Sequence, residues 1–191
     1  LRACDIASIL GVSVLRVDGP KTIIEGFDVE DYVKISLKIL DKVLPVCSRY
    51  GISLGIENHG LITNNPEYLR KLFKETDEIV GLTLDTGNFY WYGLPLKEVY
   101  KIIKEFAPRV KHTHIKNAIA RNDVKNVRRK PGEVKMAPLP RGDIDLTLVI
   151  NTIKEAGYDW DLTIEDESLW QFKEKALEIL REDIEFLKKL I

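Results

Sequence analysis

Short apolar runs alternate with longer helical repeats along most of this chain. The strand-like runs cover 14–17, 52–57, 80–85, 110–116 and 162–165, and residues on each alternate between two faces. Between them the apolar residues return every three or four positions, as in Val33, Leu37, Leu40 and Leu44 or in Leu177, Leu180, Ile184 and Leu187. The pattern predicts helices over 2–10, 29–50, 66–76, 96–106 and 146–156, and a last one from 169 onward. Gly11 stops the first helix, and a long loop runs from 117 to 142.

The parity of the strands is informative. Ser53, Gly55 and Glu57 share one face while Leu54 and Ile56 take the other; Gly81, Thr83 and Asp85 oppose Leu82 and Leu84; Thr163 and Glu165 oppose Leu162 and Ile164. In the fourth run Val110, His112, His114 and Lys116 oppose Lys111, Thr113 and Ile115. Small or polar residues on one side and branched aliphatics on the other suit parallel barrel strands with helices outside and a site within. Glu57, Asp85 and His114 follow one another at intervals of about 30 residues, one βα repeat each. Together with Glu165, these strand-end residues make a ligand set for a divalent metal.

Composition narrows the setting. The 191 residues are 45% hydrophobic and 31% charged, enough for one domain spanning 1–191 with a substantial core. A formal charge of −1 gives no general pull toward nucleic acid or an anionic membrane. Apolar runs are too short and too interrupted by charge to span a bilayer, and no signal-peptide layout opens the chain. Cys4 and Cys47 lack metal-site spacing and read as reduced residues on helices, consistent with a cytoplasmic protein.

Five segments, Gly-Ile-Glu57-Asn58-His59, Leu-Asp85-Thr-Gly87-Asn88, His112-Thr-His114-Ile-Lys116-Asn117, Gly142-Asp143-Ile144-Asp145 and the run from Gly157 to Glu165, occur in an order that resembles a known family. The chain is similar over nearly its whole length to the sugar phosphate isomerase/epimerase family, TIM barrels like xylose isomerase. The resemblance implies one divalent ion (Mn2+, Mg2+, Co2+ or Zn2+) held by Glu57, Asp85, His114 and Glu165 at the ends of the last four barrel strands. It makes 14–17 the fourth strand and leaves the first three absent. Many relatives carry His where this chain has Asn88 and Asp where it has Asn117. The Asp-x-Gly-Asn form resembles the variant of pentulose-phosphate 3-epimerases.

The expected chemistry is proton transfer at the carbon next to a ketose carbonyl, through an enediolate. Glu57 and Glu165 are the expected proton handlers; the residues alone do not separate ligand from base. Opposite faces give epimerisation, one face isomerisation. His59, Asn88, Lys116 and Arg141 are expected substrate contacts, with Lys116 alternatively pairing with a carboxylate and His59 alternatively serving loop structure. His112 reads as a hydrogen-bonded group behind the ligands, and Trp91 as loop packing. The basic loop 121–141 either draws a sugar phosphate or is a mobile solvated lid. An endonuclease IV-like abasic-site nuclease and an inactive or truncated barrel are the alternatives; three histidines are too few for the trinuclear zinc site of the former. Five strands of eight leave open edges at 14–17 and at the strand ending in Glu165, so a cut chain and association into a homodimer are expected.

Overall fold

The computed structural model describes residues 2–190; Leu1 and Ile191, the ends of the expected domain, lie outside the described residues. The order is α1 (Arg2–Leu10), β1 (Val14–Val17), α2 (Val29–Tyr50), β2 (Ser53–Glu57), α3 (Pro66–Lys74), β3 (Val80–Asp85), α4 (Asn88–Trp91), α5 (Leu96–Phe106), β4 (Val110–Ile115), β5 (Asn117–Ile119), β6 (Lys135–Ala137), α6 (Leu146–Glu155), β7 (Thr163–Ile164) and α7 (Ala176–Lys188). Five strands form one sheet in the order β1-β2-β3-β4-β7, and β5 pairs with β6 in a separate antiparallel ribbon. The packing groups the chain into two compact units, 1–84 with 109–112 and 85–108 with 113–191, so β3 and β4 each contribute to both.

In the first unit β1–β2 and β2–β3 pair in parallel, with Arg16 opposite Gly55 and Gly55 opposite Gly81. Helix boundaries follow local chemistry. The Asp28 carboxylate accepts the Asp31 N–H while the Asp31 carboxylate accepts that of Asp28, a capping box that starts α2. Gly51 ends it at φ +64°, a left-handed conformation that glycine adopts without strain, and the chain turns directly into β2. Asn65 caps α3 and Pro66 opens it. The core gathers Tyr32, Val33 and Leu40 of α2 and Tyr68, Leu69 and Leu72 of α3 with the aliphatic face of the strands, Leu54, Ile56, Leu82 and Leu84. On the opposite parity a Cβ at Gly55 would lie 2.4 Å from the Thr83 hydroxyl, which donates to the Gly55 carbonyl (3.0 Å); the small residue makes that polar rung fit.

In the second unit β4 and β7 pair in parallel, His114 opposite Thr163 and Ile115 opposite Ile164. Asp145 caps α6 by accepting the Leu148 N–H. Two differences from expectation appear here. The segment 117–142 is not a bare loop, since it contains the β5–β6 ribbon and a 3-10 turn, Leu139–Arg141. The last helix starts at Ala176 rather than near 169, because the Asp166 carboxylate accepts the Ser168 N–H (2.7 Å) and winds 167–170 into a 3-10 turn that leaves Trp170 79% exposed.

Candidate metal centre

In the first unit Glu57 ends β2 fully buried. Its Oε2 accepts from the Arg16 guanidinium of β1, which also sits 3.1 Å from Asp18; Lys21 pairs with Asp18 at 2.9 Å. His59 Nδ1 lies 3.8 Å from Glu57 Oε1, and the His59 N–H donates to the Thr63 hydroxyl. Arg16 was not singled out in the sequence, although it is the one charged residue of β1.

The second unit assembles the rest from three strand ends, those of β3, β4 and β7, and the turns after them. The β3 and β4 ends are locked by Thr86, whose N–H donates to the His114 carbonyl (3.0 Å), and whose hydroxyl donates to the Lys116 carbonyl and accepts the Lys116 N–H. Asp85 Oδ1 accepts the N–H groups of Gly87 and Asn88 at 2.8 and 2.9 Å, where α4 begins, leaving Oδ2 turned toward the Lys116 ammonium at 2.8 Å. The Glu165 N–H donates to the Ile115 carbonyl, fixing the residue after β7 beside β4. Glu165 Oε2 then stands 3.0 Å from His114 Nδ1 and 3.2 Å from Lys116 Nζ, with Glu167 a further 3.3 Å partner of that ammonium. A Cβ on Gly87 would meet Lys116 Cγ at 2.9 Å, so the glycine leaves room for the lysine stem.

Asp85, His114 and Glu165 each present an atom able to ligate a metal, and these atoms lie within 4.8 Å of one another. His114 Nδ1 and Glu165 Oε2 face each other at hydrogen-bond distance, so both could turn to one ion. Carboxylates with one imidazole suit a hard or borderline divalent ion. The two carboxyls respond differently to these surroundings. Burial pushes the Asp85 carboxyl up to about 7 against the pull of Lys116. Burial would also raise Glu165, but the His114 hydrogen bond and Lys116 outweigh it and hold this carboxyl down at about 2. Burial would lower Lys116, yet Asp85, Glu165 and Glu167 drive it upward, so the ammonium stays charged.

The remaining expected residues fall in different places. Asn88 is buried as the first residue of α4, and His112 is half-buried on β4. Arg141 is 55% exposed at its side chain and ion-pairs Glu182 of α7. Asn117 is a structural pin: its amide donates to the carbonyls of Leu139 and Ile144 and accepts the N–H groups of Ala118 and Ile144. The basic loop departs from the picture of a solvated lid at Arg129, which is 6% exposed. Its guanidinium donates to the carbonyls of Tyr90 and Leu94 and stacks 4.0 Å above the Tyr90 ring. Tyr90 in turn donates to Asp143, which Lys125 also pairs. Arg129 therefore anchors the loop, while its neighbours Arg128 and Lys130 are exposed, as are Arg121, Lys135 and Arg141.

A family model described as xylose isomerase-like TIM barrel matches residues 1–190. The inosose dehydratase of Clostridium perfringens is 28% identical over 166 residues, 82% of this chain and 50% of that protein. Among solved structures, a D-tagatose 3-epimerase-like protein superposes with a TM-score of 0.67 at 24% identity, covering 98% of this chain and 67% of that one. The IolI protein with a bound zinc atom superposes with a TM-score of 0.73 at 18% identity, covering 99% and 66%. The chain spans about half the length of the curated relatives it matches.

Proposed function

The chain belongs to the xylose isomerase-like TIM barrel family, and from that premise we propose that it serves as a divalent-metal-dependent isomerase or epimerase of a sugar or sugar phosphate. The reaction is proton transfer at the carbon next to a ketose carbonyl. The observation that carries this reading is the cluster of Asp85, His114 and Glu165 around the Lys116 ammonium.

Asp85, His114 and Glu165 would hold the ion, and Glu57, a fully buried carboxylate ending β2, is the proposed fourth ligand. When bound, the metal supplies Lewis acidity to the substrate carbonyl. Glu165, ionised by its contacts with His114 and Lys116, takes a proton from carbon on one face, and Glu57 serves the other face. Lys116, already charged, orients a substrate oxygen while keeping Asp85 in place. His59, Asn88 and Arg141 contribute substrate contacts, and His112 supports the ligands from behind.

A dehydratase is the second reading, favoured by the names of two relatives, the inosose dehydratase and a mannonate dehydratase of Enterococcus faecalis. Both reactions begin by removing a proton beside a carbonyl; they differ in whether hydroxide then leaves. Incubation with Mg2+ and a panel of ketoses in D2O separates them. Isomerisation or epimerisation gives a product of unchanged composition with deuterium at the carbon beside the carbonyl, whereas dehydration gives loss of water. Calorimetry should find one equivalent of metal bound, weakened at least ~100-fold in Asp85→Asn, which keeps the acceptor for Gly87 and Asn88. Undiminished deuterium uptake in Glu165→Gln would remove Glu165 from the proton transfer.

A further inference from the structure

Cys4 and Cys47 stand 43 positions apart in sequence, yet their sulfurs are in contact at 3.8 Å, one on α1 and the other on α2. Both are buried, at 3% and 0% exposure. We propose that this pair is an oxidation site, at which a small-molecule disulfide converts the two thiols into a bond that clamps α1 to α2.

The case rests on how α1 is held. Cys4 and Ala7 are its only buried residues, while Ile6, Ile9 and Leu10 are 56%, 84% and 70% exposed. Beyond them, Tyr50 of α2 donates a hydrogen bond to the Asp5 carboxylate at 2.5 Å. A helix attached by so few groups opens locally at low cost, and its opening brings Cys4 to solvent. Cys47 is better fixed, one turn from the Gly51 cap, with its carbonyl accepting the N–H groups of Gly51 and Ile52. Closing two touching thiols to a bond of about 2.05 Å needs side-chain rotation and a small helix adjustment.

The exchange balances without any further reagent. Cys4, as thiolate, attacks one sulfur of the small disulfide, forming a mixed disulfide and releasing one small thiolate. Cys47 then loses its proton and attacks the Cys4 sulfur, breaking the mixed disulfide and releasing the second thiolate. The two protons given up by the cysteines reprotonate the two small thiols, and two electrons pass from the pair to the reagent. Burial and the adjacent Cys4 thiol push the Cys47 thiol up to about 11, which assigns it the second step and makes that step slow.

The test exposes the native chain to oxidised glutathione and, in a parallel arm, refolds the reduced chain in a glutathione redox buffer. The second arm removes the question of access through folded protein. The expected product is a monomer lighter by two hydrogens, with no thiol titrating after denaturation. It should melt roughly 5–10 °C higher than the reduced form, since the crosslink closes a long loop in the unfolded chain, and dithiothreitol should reverse the gain. Cys4→Ser and Cys47→Ser should each abolish the lighter species. Two free thiols in the refolding arm, a persistent glutathione adduct, or crosslinked dimers in place of the internal bond would each overturn the proposal.

Discussion

Around Asn117 every polar atom is matched: two amide hydrogens meet two carbonyls, and one amide oxygen meets two N–H groups, at 2.8–3.0 Å. Around Lys116, one residue earlier and equally buried, nothing is matched in that sense. One ammonium serves three carboxylates, those of Asp85, Glu165 and Glu167, and the half-buried His114 imidazole stands beside Glu165. A neutral cluster whose donors and acceptors cancel holds the fold and has no use for a ligand. A cluster in which three carboxylates share one ammonium favours an added cation or proton, and it is there that function is to be sought.

The sharpest way to break the comparison is Asn117→Asp. A carboxylate there would set an oxygen against the carbonyls of Leu139 and Ile144 with no hydrogen to give, a cost on the order of 3 kcal/mol. Thermal unfolding should fall by about 10 °C; a change within about 2 °C would mean that the cluster is not closed.

Lys116→Met tests the other side. With the ammonium gone but its length kept, calorimetric metal affinity should rise roughly tenfold, because the carboxylates lose an internal competitor worth about a hydrogen-bonded charge. Unchanged affinity would show that the ammonium does not weaken the hold of these carboxylates on the ion.

The smallest effect concerns a third kind of cluster, balanced by a proton. Asp183 of α7 is fully buried and accepts the Leu139 N–H; burial and the neighbouring Asp166 carboxylate push it up to about 7. Its folded value lies above the unfolded 3.8, so its contribution to stability is whole at acid pH and declines as pH rises from about 4 to about 7. Asp183→Asn keeps the acceptor and removes the titration. The melting-temperature difference between variant and parent should therefore move in favour of the variant by a few degrees between pH 5 and pH 8. A difference independent of pH would show that Asp183 ionises normally.

The same residue explains a limit of legibility. Counting apolar positions in α7 selects Leu177, Leu180, Ile184 and Leu187 as the buried stripe, but Leu177 is 74% exposed and Ile184 38%, while Ile179, Asp183 and Leu187 are buried. A carboxyl group occupies a core position, and periodicity of apolar residues cannot register it. The strands and the long helices α2 and α5 were legible, because β parity and caps such as Asp28 act locally. So were the residues ending the strands, since their chemistry interrupts an aliphatic run. Hidden from the sequence were the partners set by tertiary packing: Arg16 on Glu57, Glu167 on Lys116, and Arg129 turned inward over the Tyr90 ring.

Gly87 carries a last consequence. Its backbone, at φ −89° and ψ −25°, is open to any amino acid, so its identity is enforced only by the Lys116 stem that passes beside it. Positions 87 and 116 therefore cannot drift separately. A lineage that shortens the side chain at 116 first frees position 87 to vary, whereas one that adds a side chain at 87 first displaces the lysine and the carboxylates gathered on it. The order of substitutions is thus constrained by the space of a single methyl group, and a small residue at 87 should travel with a long one at 116 through the history of the fold.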